Sequence, residues 1–140
     1  MTDKKEIISY IVLIVICFIL AMHMNVVVSG SMEPTFYRGD IVIIEKTNFL
    51  GFQEFNPEDV EVGDIVVYDA SWYNKPVIHR VINKTTIEGE TYFTIKGDNN
   101  PVQDPYPVPV SQIRERVINI ENTPLIVPKI GYVSLWLRGL

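Results

Sequence analysis

From Ile7 to Val28 the chain runs for 22 residues in which only Ser9, His23 and Asn25 are clearly polar and Tyr10 is amphipathic. As a helix rising about 1.5 Å per residue, this stretch covers roughly 33 Å, enough to cross a hydrocarbon core of about 30 Å. A cleavable leader is the competing reading, with Val27 and Ser29 as the small residues before a cut, but the apolar part of a leader is ordinarily only about 7–15 residues long. The length favours a retained, single membrane helix in contact with the lipid bilayer. Lys4 and Lys5 precede the run, and because Asp3 and Glu6 count little in the positive-inside rule, the amino end is expected in the cytoplasm and the rest outside. His23 and Asn25 fall near the outer end, where polar side chains reach interfacial water. Cys17, in mid-helix, reads as a small apolar residue facing lipid.

The natural division is therefore 1–28, a cytoplasmic amino terminus and membrane helix, and 29–140, a single exported domain. That domain holds ten Lys/Arg and fifteen Asp/Glu, which is the whole net charge of −5. An acidic surface without an Arg/Lys run argues against a nucleic-acid partner. A lone cysteine excludes an internal disulfide and any zinc site built on two or more cysteines, and no cofactor is expected. Short Val/Ile-rich runs recur between turn residues, predicting strands at Ile41–Glu45, Asp64–Tyr68, Val77–Asn83, Tyr92–Lys96 and Val117–Glu121. No segment beyond the apolar helix carries a helical stripe, and nine prolines interrupt the candidates, so a compact β-barrel or sandwich is the expected class.

Two of the strands open alike, Arg38-Gly-Asp-Ile-Val-Ile and Val62-Gly-Asp-Ile-Val-Val, each with Gly-Asp as the feeding turn. Asn48–Val60 reads as a loop anchored in the core by Phe49, Leu50, Phe52 and Phe55, and Pro101–Pro109 as an irregular extended loop. The apolar tail Leu125–Leu140 is too short to span; burial and a seat on the outer membrane face explain its Trp and Tyr equally well.

Ser29-Gly-Ser-Met-Glu-Pro-Thr follows the apolar run directly, and a lone Ser-x-Ser is ordinarily just a turn. The exported part has one histidine, His79, within the strand-like Val77-Ile-His-Arg-Val-Ile, and two aspartates, Asp98 and Asp104, follow the next strand. A serine hydroxyl is a weak nucleophile that needs an adjacent base, and that base needs a carboxylate to fix its tautomer and stabilise its cation. All three residue types are present, but spacing alone does not assemble them, since unrelated folds use different chain orders.

Four segments in order resemble the type I signal peptidase family. Ser29-Gly-Ser-Met-Glu-Pro-Thr is similar to its nucleophile motif, Gly63-Asp-Ile-Val-Val-Tyr to its central strand, Val77-Ile-His-Arg-Val to its general-base strand, and Gly97-Asp-Asn-Asn with Asp104 to its acidic motif. Bacterial members carry lysine at the base position, so His79 before Arg80 resembles the archaeal and endoplasmic-reticulum branch. The resemblance implies a membrane-bound serine endopeptidase that removes signal peptides, with small residues before the cut, from secretory preproteins. It makes Ser31 the nucleophile, His79 the general base, and the Ser31 backbone N–H with the Ser29 hydroxyl the oxyanion hole. Asp104 is favoured over Asp98 as the histidine's partner, and Asp98 assists through the Gly-Asp turn. Val26, Val27, Val28 and Met32 are the candidate substrate contacts, weighed evenly for the valines against packing, and Arg80 is a structural cation. An archaeal cell membrane fits the compact chain better than an endoplasmic reticulum. Two other readings stand beside this one: a self-cleaving Ser-Lys peptidase, against which His79 and the membrane span argue, and an anchored β-domain that binds a partner without catalysis.

Overall fold

The computed structural model describes residues 3–139. Helix α1, Lys4–Met22, buries none of its side chains and is long and apolar enough to cross a membrane, at about 28 Å for 19 residues. It ends at Met22 instead of continuing to Val28: Met24–Val26 is strand β1, paired antiparallel with β2, Ile41–Lys46. The apolar run was thus two elements in series. His23 closes the helix, its ring 2.7 Å from both the Ile19 carbonyl and the Glu54 carboxylate and edge-on to Phe49, while the Asn25 amide donates to Glu115. His23 is thus a joint between helix and domain, and Asn25 ties β1 to β7.

The remaining strands are β3 (Ile65–Tyr68), β4 (Val77–Ile87), β5 (Glu90–Lys96), β6 (Val108–Pro109), β7 (Ile113–Val117), β8 (Asn119–Ile120), β9 (Thr123–Pro124) and β10 (Ile126–Val127). Eight form one antiparallel sheet in the order β1-β2-β7-β3-β4-β5-β6, with β10 also on β2; β8 and β9 make a separate hairpin. The sheet does not close into a barrel. Its alternate faces bury two apolar clusters, so the arrangement is sandwich-like. Val66, Tyr68, Val77, Val81, Phe93 and Ile95 line one cluster; Val42, Ile44, Ile65 and Val117 line the other with Val27, Met32 and Phe36. Central β3 is buried at all four positions, which is why Ile65-Val-Val-Tyr68 is continuously apolar.

Local chemistry explains the turns. Asp64 accepts from the Glu61 backbone N–H, and Asp40 accepts from Tyr37 and Lys129, so both Gly-Asp pairs bind their own turns before a β-branched run begins. Glu88 and Gly89 both take positive φ in the two-residue link between β4 and β5, as a hairpin matching strand twist requires.

Three further expectations change. The strand expected at Val117–Glu121 is split: its first residue ends β7, Asn119–Ile120 is the short β8, and most of β7 lies upstream, where Arg114, Glu115 and Arg116 hid it by composition and are paired with Asp69, Lys46 and Glu45. In the Asn48–Val60 loop only Phe55 and Val60 are core, whereas Leu50 and Phe52 flank Gly51 at an exposed turn. The tail contains a short helix, α2 (Tyr132–Leu137), in which Leu135 alone is buried. Pro101–Pro109 is irregular as expected, apart from β6 at its end.

Candidate active site

Strand β4 carries His79 between Val77 and Val81, on the face of the first core cluster, with Ile78 and Arg80 on the opposite face by the pleat. His79 lies opposite Val66 of β3. Asp104 comes from the loop after β5, where its backbone N–H bonds the Ile95 carbonyl and turns the side chain toward the imidazole. His79 Nδ1 donates to Asp104 at 2.8 Å from Oδ2 and 2.9 Å from Oδ1. This leaves Nε2 as the acceptor, 3.1 Å from Ser31 Oγ. The Ser29 hydroxyl is 3.2 Å from Ser31 Oγ. His79 and Asp104 are 5% and 6% exposed, and Ser31 sits where this buried pair meets solvent.

Ser31 reaches that point on the loop between β1 and β2, which is held at several points. Met32 and Phe36 bury completely beneath it. From the other side the Gly97–Asn100 turn grips it: the Asn99 N–H donates to the Ser31 carbonyl at 2.8 Å, Asn99 Nδ2 to the Gly30 carbonyl at 3.0 Å, and the Asp98 N–H to Met32 Sδ at 3.4 Å. The approach is close enough to demand glycine, since a Cβ on Gly97 would lie 2.8 Å from the Ser31 oxygen.

Asp98 does not touch His79. It accepts two hydrogen bonds from Arg80, at 2.9 and 2.8 Å, and one from Thr35. Burial opposes its charge, but the Arg80 and Thr35 hydrogen bonds and the pull of Arg80 and Lys96 outweigh that, holding the carboxyl below its usual range. The same hydrogen bonds hold the Arg80 guanidinium above its ordinary value against burial. Arg80 also donates to the Gly63 carbonyl, so it ties β3, β4 and the acidic turn together.

Of the proposed substrate contacts, Val27 and Met32 are 4% and 0% exposed and pack in the second cluster, so they have no surface to offer a substrate. Val28, beside Ser29, is 53% exposed, and Val26 is half-buried in β1. Sequence reasoning missed three neighbours of the site: Thr35 on Asp98, Asn99 on the Ser31 loop, and Tyr68, whose hydroxyl donates to Asp104 at 2.6 Å. Each lies in one of the segments that resemble the family's motifs, which was the signal available, but only the fold shows what it touches. Among the described residues no cluster of His, Cys, Asp and Glu could hold a metal ion.

A serine hydroxyl, an imidazole and a carboxylate linked in series can generate an alkoxide-like nucleophile and shuttle its proton. The family model described as "Signal peptidase, peptidase S26" matches residues 4–106. An uncharacterized protein of Methanocaldococcus jannaschii is 37% identical over 182 aligned positions, covering 89% of this chain and 88% of the relative. The signal peptidase complex catalytic subunit SEC11 of Colletotrichum graminicola is 36% identical over 115 positions, covering 80% of this chain. That of Saccharomyces cerevisiae is 34% identical over 120. The aligned parts take in 62% and 64% of these two fungal proteins, less than two thirds of their length. Matched over most of its length and from the helix through the acidic turn, this chain belongs to the signal peptidase family, peptidase S26.

Proposed function

We propose that this protein is a membrane-anchored serine endopeptidase that removes signal peptides from secretory preproteins by Ser-His-Asp catalysis. The observation that carries this reading is the unbroken chain of hydrogen bonds Ser31–His79–Asp104. Ser31 Oγ attacks the scissile carbonyl while His79 Nε2 takes its proton, and Asp104 holds the imidazole and its developing cation. The oxyanion forms toward the Ser31 N–H and the Ser29 hydroxyl, which turns away from Ser31 Oγ to donate to it. His79 then protonates the leaving amine, and water hydrolyses the acyl-enzyme by the same steps in reverse.

Strand β1 supports substrate binding by strand addition: it pairs with β2 alone among the described strands and leads through exposed Val28 to Ser29 and Ser31. Lys4 and Lys5 support a cytoplasmic amino end, with helix α1 crossing the bilayer once and the catalytic domain, from β1 onward, outside. The likeness to a relative from Methanocaldococcus jannaschii favours the cell membrane. The fungal relatives are named catalytic subunits of a complex; here the three reacting side chains all come from one chain, which supports catalysis without a residue from any accessory subunit.

The test is cleavage of a membrane-inserted preprotein, with small residues before the cut, by the full chain in lipid vesicles. Cleavage that Ser31→Ala abolishes, together with loss of labelling by a serine-reactive acylating probe, is the expected result. An intact Ser31→Ala fold that still cleaves rejects the assignment.

A further inference from the structure

Tyr68 closes the apolar strand β3, is 1% exposed, and brings a hydroxyl into a core that otherwise needs none. A buried hydroxyl requires a partner, and a tyrosine chosen only for volume could be phenylalanine. Its partner is Asp104 Oδ2 at 2.6 Å, the same oxygen that lies 2.8 Å from His79 Nδ1. The register explains the meeting. Val66 lies opposite His79, and Tyr68, two residues further along β3, shares that face as the diagonal neighbour of the histidine.

We infer that Tyr68 is a positioning residue for the serine hydrolase reaction, its hydroxyl holding the Asp104 carboxylate in place against His79. This rests on the assignment of Ser31, His79 and Asp104 above. While His79 is neutral, Asp104 carries the one negative charge of a nearly water-free site. A buried carboxylate needs hydrogen-bond donors to replace the water it has lost, and one donor leaves it free to swing. The Tyr68 hydroxyl is the second donor. Burial first, then the hydrogen bond and charge of Asp104, push the tyrosine's own titration far upward, so it remains a donor at any working pH. The titratable groups that meet at this carboxylate are Tyr68 from β3 and His79 from β4; Arg80, one residue on, points to the other face and is engaged by Asp98. The hydroxyl also limits rotation of the carboxylate, because it holds Oδ2 while both carboxylate oxygens lie within 2.9 Å of Nδ1.

Tyr68→Phe keeps the ring that fills the core and removes the oxygen, so the fold is retained. Full-length protein in lipid vesicles is compared with wild type for kcat, KM and the pH profile of preprotein cleavage, and for the downfield proton resonance of the His79–Asp104 hydrogen bond. The expected result is a kcat lower by about 10-fold or more, the loss of one hydrogen bond to a charged group, with KM little changed. The ascending limb of the pH profile should move, and the downfield resonance should shift or broaden. Unchanged kcat, pH profile and resonance would overturn the inference even if melting temperature falls, since a packing role moves only the last. Failure of the underlying assignment reads differently: Ser31→Ala would then retain activity whatever Tyr68→Phe does.

Discussion

Replacing Asp98 by asparagine tests whether the two aspartates divide structure from chemistry. The carboxylate receives two hydrogen bonds from Arg80 and one from Thr35, and the paired side chains of Arg80 and Asp98 are 29% and 20% exposed. Asparagine preserves the shape but offers one acceptor oxygen and an NH₂ facing donors. One Arg80 bond is lost outright, and the guanidinium keeps its charge without a counter-ion. A hydrogen bond to a charged group contributes about 1.5–3 kcal/mol, and partial exposure discounts it, so the loss should be about 1–2 kcal/mol. For a domain of this size that lowers Tm by roughly 3–10 °C. The sign of the pH dependence follows from the depressed carboxyl. Its folded form titrates below its unfolded form, so the stabilisation is complete above the usual carboxylate range, near pH 4, and disappears as pH falls through the folded value. The Tm gap between wild type and Asp98→Asn should therefore be widest near neutral pH and narrow on acidification. Thermal unfolding in detergent at several pH values, with kcat on the same preparations, reads both quantities. A gap independent of pH refutes the ion-pair account. A kinetic defect exceeding that of Asp104→Asn, in an intact fold, refutes the division of labour.

Asp104→Asn should lower kcat by as much as about 10⁴-fold with little change in Tm, because an amide at the Nδ1 position can select the wrong imidazole tautomer; full turnover would dismiss the triad. His79→Lys should show little or no activity at neutral pH, because Asp104 beside it holds an ammonium charged, and wild-type-like turnover would overturn that reasoning. Gly97→Ala drives a methyl to within 2.8 Å of the Ser31 carbonyl, and displacement of the nucleophile by about 1 Å should cost roughly 10²-fold in kcat. Unaltered kinetics would mean that the turn, not the serine loop, absorbs the strain.

What could be read from sequence follows a physical line. Strands β2 to β5 announce themselves because each alternates or runs apolar between turn residues, and the Gly-Asp turns feeding β2 and β3 work as such motifs should. Strand β7 is obscured because its half-buried charged positions are matched by Glu45 and Lys46 on β2 and by Asp64 in the turn before β3, which no local window contains. The end of α1 is obscured for the opposite reason. An exposed apolar helix and a half-buried strand can be built from the same apolar residues, and only the β-branched run Val26–Val28 hints at the change. The serine, histidine and two aspartates are visible as residue types. Which aspartate meets the histidine depends on the Asp104 N–H to Ile95 bond, a matter of register across β5.

The early end of α1 changes how helix and site are related. Had the helix run to Val28, Ser31 would follow it by three residues on a free loop, and its height above a bilayer would depend on that loop alone. Instead one residue, His23, separates α1 from β1. Its ring bridges the Ile19 carbonyl in the last helical turn and Glu54 on the domain, and Glu54 also accepts from the Lys46 backbone N–H at 2.9 Å. Strand β1 then enters the sheet beside β2, and the serine loop is clamped between β2 on one side and the Gly97–Asn100 turn on the other. Orientation thus passes from helix to serine through a strand ladder and a capped joint, with little freedom at any step. Under the proposed function, with the substrate held in the same bilayer, such a connection would turn the search for the scissile bond into one over two dimensions with the attacking group already at the right level.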